Sequence, residues 1–176
     1  YPTWSPDGKW IAWLSDMTGE YDLFLQDQKA EEEPKVIKLK RNNFYYFPIW
    51  APDSETILLK DKDNIVWLVD IESGKMTEVD QNVMAERAMN FSFSPDSQWL
   101  AYTKRMANGL WTVFVYNLES KKIHQITDGM SNARSPVFSR AGKYLYFTAS
   151  TNVGLGNTSL DMSSYERDED YYLYLI

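Results

Sequence analysis

Apolar residues along this chain gather in short runs, each bounded by Gly, Pro, Asp, Asn or Ser, and their spacing is that of strands rather than helices. One ten-residue pattern repeats. Trp4-Ser5-Pro6-Asp7-Gly8-Lys9-Trp10-Ile11-Ala12-Trp13 returns as Trp50-Ala51-Pro52-Asp53-Ser54-Glu55-Thr56-Ile57-Leu58-Leu59 and as Phe93-Ser94-Pro95-Asp96-Ser97-Gln98-Trp99-Leu100-Ala101-Tyr102. A weaker copy is Phe138-Ser139-Arg140-Ala141-Gly142-Lys143-Tyr144-Leu145-Tyr146-Phe147. Measured at the proline place, the copies lie 46, 43 and 45 residues apart, inside the roughly 40 to 50 residues of a four-stranded propeller blade.

The repeated corner has a mechanical reading. Proline presets φ in a tight turn, Asp bonds nearby backbone and Gly tolerates positive φ, so Ser-Pro-Asp-Gly reverses the chain between two strands. Arg140 and Ala141 remove two of those aids from the fourth copy, where the same turn is expected with weaker local encoding.

After each corner come further strand-like runs. The third in each repeat is aromatic and aliphatic: Tyr21–Leu25, Ile65–Val69, Trp111–Val115 and Tyr171–Leu175. The fourth is more polar: Lys35–Leu39, Lys75–Val79 and Lys122–Ile126. Lysine on an outermost strand discourages edge-to-edge pairing. Middle strands covered on both faces lose polar alternation while a rim strand keeps it, as stacked radial sheets require. The charged run Gln28–Glu33 ends at Pro34 and reads as a solvated turn, not a helix.

The expected fold is therefore all-β: a β-propeller segment of about four consecutive antiparallel blades, at residues 1–43, 44–87, 88–132 and 133–176. Blade 4 lacks an outer strand, and the arc is read as incomplete, finished by further blades or a second chain. In blade 4 about twenty residues, Thr151 to Asp170, separate the second and third strands, where the other blades use short loops. This insertion falls on the same face as the links between blades.

Composition narrows the function classes. The chain of 176 residues has 44% hydrophobic and 15% aromatic residues, enough apolar surface for a folded core. Zero cysteines exclude disulfides, thiolate catalysis and Cys-ligated metal. A net charge of −7 argues against nucleic acid and anionic membrane surfaces as partners. No apolar run reaches the roughly 18 residues of a membrane span. The start, Tyr1-Pro2-Thr3-Trp4, is read as a piece of something longer, so the compartment, cytoplasmic or periplasmic, is undetermined.

The search for catalytic chemistry yields little. His124 is the single histidine, set in a polar rim run, where an exposed side chain is the ordinary reading and a triad base the exceptional one. No Gly-x-Ser-x-Gly elbow, His-Glu-x-x-His helix, phosphate loop or dinucleotide fingerprint is present. Asp61-Lys62-Asp63-Asn64 begins like a calcium loop, but Ile65 takes the next ligand place, which favours a hairpin tip. Neither cofactor nor metal is expected. The candidate binding residues are Arg87 and Arg134, in links leading to inner strands where a guanidinium fork suits a peptide carboxylate. A structural bridge between blades fits them equally. Tyr45 is a candidate aromatic wall with packing as the competing role, and Tyr165 and Arg167 belong to the blade 4 insertion.

The Ser-Pro-Asp-Gly corners followed by Lys-Trp-Ile-Ala resemble the propeller repeats of TolB and of tricorn proteases. Tyr144–Asn152 with Leu160–Arg167 resembles the N-terminal propeller of bacterial tricorn-like serine peptidases. That resemblance implies a non-catalytic propeller that routes or screens peptides, with the serine nucleophile in a separate C-terminal core, so no catalytic residue is carried over. The partners implied are peptides or a protein. A TolB-like interaction propeller and the propeller cap of a prolyl-oligopeptidase-like hydrolase are the alternatives.

Overall fold

The computed structural model describes residues 2–40, 42–82, 89–152 and 169–176. Strands and turns account for all the regular structure there, with no helix among the described residues. The chain divides into two compact units, Tyr1–Ala85 and Glu86–Ile176.

The first unit holds two four-stranded antiparallel sheets. One runs β1 (Thr3–Trp4), β2 (Trp10–Ser15), β3 (Asp22–Asp27) and β4 (Lys35–Ile37) in sequence order. The other runs β5 (Ile49–Trp50), β6 (Thr56–Lys60), β7 (Ile65–Asp70) and β8 (Met76–Gln81). Each strand lies beside its chain neighbour, as expected of propeller blades. Alternate residues of the first sheet, Ala12, Leu23, Leu25 and Ile37, meet Ile57, Leu59, Trp67, Val69 and Met76 of the second in one core. The period-two rule assigns each set to a single sheet face.

In the second unit, β9 (Phe91–Phe93), β10 (Trp99–Arg105), β11 (Trp111–Asn117) and β12 (Ile123–Gln125) form a four-stranded sheet. Then β13 (Asn132–Phe138), β14 (Leu145–Ser150) and β15 (Tyr172–Leu175) form a three-stranded one. Ala101, Val113 and Val115 pack there against Ala133, Leu145 and Ala149. The all-β class and the blade architecture match the sequence reading.

The corners form as their residues dictate. Ser5 Oγ donates to Asp7 Oδ1 at 2.6 Å and accepts from the Trp10 amide at 3.0 Å. Ser94 repeats this with Asp96 at 2.5 Å and Trp99 at 2.9 Å. Ala51 removes the hydroxyl from blade 2, and Asp53 Oδ1 instead accepts from the Glu55 and Thr56 amides. In blade 4 Ser139 Oγ still accepts from the Tyr144 amide at 3.0 Å although the Asp is gone, so the turn forms without the bonds that Asp7 and Asp96 accept in their corners. Ser54 adopts a positive φ of 61° and accepts from the Asp7 amide at 3.1 Å, tying the corner of blade 1 to that of blade 2.

Candidate peptide-docking face

Of the sequence-derived candidates, Tyr45 and Arg134 fall within the described residues. Tyr45 is 2% exposed and belongs to the core of the first unit, pairing with Asp61 through an isolated bridge. Its ring is packing, not an open wall. Arg87, Tyr165 and Arg167 lie outside the described residues. Arg134 is described and exposed.

Arg134 sits on β13, the inner strand of blade 4. The pairing of β13 with β14 shifts register between Arg134 and Val137, where Ser135 has φ 53° and is followed by Pro136. Proline cannot donate to the ladder and sits at an irregularity of this kind, which re-aims the side chain beside it. The Arg134 guanidinium lies over the buried Trp111 indole, 5.6 Å from the ring centroid. A weakly hydrated planar cation on an aromatic face keeps its edge N–H groups available. Arg134 makes no ion pair among the described residues.

Around it runs a hydrogen-bond chain that sequence reasoning did not find. Buried Asn132 accepts from the Trp111 amide at 3.1 Å and donates Nδ2 to the Tyr171 hydroxyl at 2.8 Å. That hydroxyl donates to Glu169 Oε2 at 3.1 Å. Burial raises the Tyr171 phenol above its ordinary value of 10.0; the field of Arg134 pulls it down and the bond to Glu169 pushes it up. Tyr171 therefore stays a neutral donor at physiological pH. The ends of the blade 4 insertion meet nearby: Asn152 Nδ2 donates to Asp170 Oδ2 at 3.1 Å, and the Asp170 amide returns a bond to Asn152 Oδ1 at 3.0 Å. A polar residue opening an inner strand, as Asn132 does, was the one available signal.

Other polar groups are structural. Asp61 is fully buried at the tip between β6 and β7, accepting from the Ile65 amide at 2.9 Å and from Trp67 Nε1 at 3.1 Å. This is the hairpin tip expected in place of a calcium loop. His124 lies on exposed β12, its ring 6.2 Å from that of Trp99. No group of three or more His, Asp or Glu residues is placed to hold a metal ion among the described residues, and no helix there is long and apolar enough to cross a membrane.

Two clefts are formed among the described residues. In the first, about 360 Å³ opens between corner and rim residues including Asp7, Lys9, Asp53, Glu55 and Glu72. In the second, about 460 Å³ lies beside Phe147, Tyr174, Met130 and Asp128. Acidic surroundings in the first and aromatic ones in the second give the two clefts different chemistry.

The sequence model of the tricorn protease second β-propeller domain matches residues 1–161. The chain belongs to that family. Among curated relatives it is 27% identical over 154 residues to the uncharacterized peptidase YuxL of Bacillus subtilis, covering 84% of this chain and 21% of that protein. It is 27% identical over 150 residues to tricorn protease homolog 1 of Streptomyces coelicolor, covering 82% of this chain and 14% of the relative. The crystal structure of the tricorn protease superposes with a TM-score of 0.68 at 21% identity, over 81% of this chain and 14% of that one. This chain thus spans about a fifth or less of the length of these relatives. It is a propeller segment of the kind found in tricorn-like peptidases.

Proposed function

We propose that this propeller segment docks or gates peptides for a tricorn-like serine peptidase and performs no hydrolysis itself. The observation that carries the reading is Arg134: an exposed guanidinium stacked on Trp111, with no ion pair among the described residues, beside the neutral phenol of Tyr171. A planar fork of N–H donors suits a carboxylate, and a peptide carries one at its C-terminus. The peptidase names of its relatives agree with peptide as the ligand class.

The test is binding of short fluorescent peptides to the 176-residue chain, with a free carboxylate or an amidated C-terminus. The free acid is expected to bind more tightly, and Arg134→Gln to erase the difference. Equal affinity for both forms in the unaltered chain would remove the carboxylate role, and peptide cleavage by the purified chain would remove the non-catalytic one.

A further inference from the structure

The cleft of the first unit opens beside the corners of blades 1 and 2, in the seam between the two sheets. Every lining residue lies between positions 7 and 72, and both sheets have all four strands, so its shape depends on neither end of the sequence. Two ties brace it. Toward the inner strands the Asp7 amide donates to Ser54 Oγ at 3.1 Å, and toward the outer strands Lys35 Nζ donates to the carbonyls of Ile71 and Glu72 at 2.7 and 2.8 Å.

The lining is part apolar and part acidic. Leu25 is 1% exposed, and half-buried Trp10 and Ile71 pack against the same core. With them stand five carboxylates, Asp7, Asp53, Glu55, Asp70 and Glu72, against two ammonium groups, those of Lys9 and Lys35. Both cations are already engaged: Lys9 Nζ lies 3.0 Å from Asp7 Oδ2, and Lys35 is held by the two carbonyls. Hydrogen bonds from Ser5 and Lys9 hold the Asp7 carboxyl well below its ordinary value of 3.8, and bonds from Ser73 lower that of Asp70, so both are anions near neutral pH. Glu55 and Glu72 form no ion pair among the described residues.

A ligand for such a cleft needs a positive head on an apolar stem. About 360 Å³ is near the lower end of small-ligand sites, on the order of 300 to 1,000 Å³, and suits one long side chain. Lysine and arginine lay their methylene stems on apolar surface while the charged head stays at the polar edge, and a guanidinium also stacks on an indole such as that of Trp10. Lys35 is an internal example: it seats its ammonium at one end of the cleft, and the acids still outnumber the cations there.

We infer that this seam between blades 1 and 2 is a subsite for a basic side chain, arginine or lysine, of a docked peptide. The inference rests on the reading that the segment docks peptides. It adds a contact in the first unit that selects for side-chain charge, whereas the role proposed for Arg134 is selection of a free C-terminus.

The test uses the full 176-residue chain and two peptides, acetyl-Gly-Ala-Arg-Ala-Gly-amide and the same peptide with citrulline in place of arginine. Both lack free termini, so a terminal carboxylate at Arg134 contributes to neither. The arginine peptide is expected to bind about tenfold more tightly, to shift the Trp10 indole N–H resonance and to weaken as salt rises. Glu55→Gln combined with Glu72→Gln is expected to weaken it about fivefold. Glu20→Gln combined with Glu78→Gln removes two charges from the same unit outside the cleft and is expected to change binding by less than about twofold. All four side chains are exposed, so the substitutions leave the core intact. Equal binding of the arginine and citrulline peptides overturns the subsite. Equal losses in the two double variants also overturn it, since they mean a general attraction of cations to an acidic protein. A Trp10 resonance that moves with protein concentration and not with peptide assigns the cleft to a second copy and overturns the peptide as occupant. A chain that distinguishes free from amidated C-termini but not arginine from citrulline refutes this subsite and keeps the role of Arg134; the opposite pattern does the reverse.

Discussion

Blade 1 and blade 4 place leucines at the same two repeat positions and treat them in opposite ways. Leu23 and Leu25 are 0% and 1% exposed, packed against the second sheet of their unit, while Leu173 and Leu175 are 71% and 61% exposed. One position earlier the contrast holds again. Asp22 is 2% exposed, bonded to Lys38 Nζ at 2.5 Å and to the Leu39 amide at 3.3 Å, where it holds the chain just beyond β4. Its counterpart in blade 4 is Tyr172, 60% exposed. Among the described residues, burial at a given place in this repeat thus follows the strand and sheet packed against it rather than residue type alone.

The largest expected difference tests the leucines. Leu25→Ala should cost about 3 kcal/mol through lost burial and a cavity that packing cannot refill. Leu175→Ala should cost under about 0.5 kcal/mol. Urea denaturation of both variants checks this, and similar losses would show that something covers blade 4 after all. Next comes Asp22→Asn, which breaks a buried charge-assisted network and should cost about 2 kcal/mol, against a negligible effect for Tyr172→Asn. The same carboxylate sets an acid dependence. Burial raises its pKa, but the bonds from Lys38, Thr18 and the Leu39 amide outweigh that and leave it below the usual 3.8. A depressed folded value means the contribution is whole above pH 4 and is lost as pH falls through the folded pKa. Denaturation midpoints should therefore drop below about pH 4 in the unaltered protein and drop less in Asp22→Asn.

Smaller effects probe the corners and the same repeat position in blade 3. Ser94→Ala removes the donor to Asp96 and the acceptor for the Trp99 amide and should cost about 1 kcal/mol, whereas Ala141→Asp in blade 4 should recover a few tenths, both read from thermal melts. Thr112 occupies the place of Asp22 in blade 3, fully buried, with its hydroxyl lacking a hydrogen-bond partner among the described residues. Thr112→Val should stabilise the protein by about 0.5 kcal/mol, because an unpaired buried hydroxyl is replaced by a methyl group of similar size.

The fold was legible because its signals are local. Pro6-Asp7, Pro52-Asp53 and Pro95-Asp96 mark their corners within four residues, and the aromatic third strands follow at fixed offsets. The site was less so. Arg134 could be named from its link position, but its platform Trp111 is 23 residues away and Tyr171 is 39 residues from Asn132, so their meeting depends on tertiary packing. Asp61 reads as one more surface acid until the hairpin closes over it and Trp67 turns its indole N–H inward. The buried ring of Tyr45 and the exposed one of Tyr172 are equally indistinguishable in the sequence, since alternation gives a face but not what lies opposite.

The bond from the Asp7 amide to Ser54 gives the 46-residue spacing a meaning of its own. The first corner works as a gauge against which the second is cut: a residue added or lost between Asp7 and Ser54 must be absorbed in a hairpin tip if the two turns are still to touch. Length variation in this first pair of sheets should accordingly collect at tips such as Lys29-Ala30, leaving the corner-to-corner step constant.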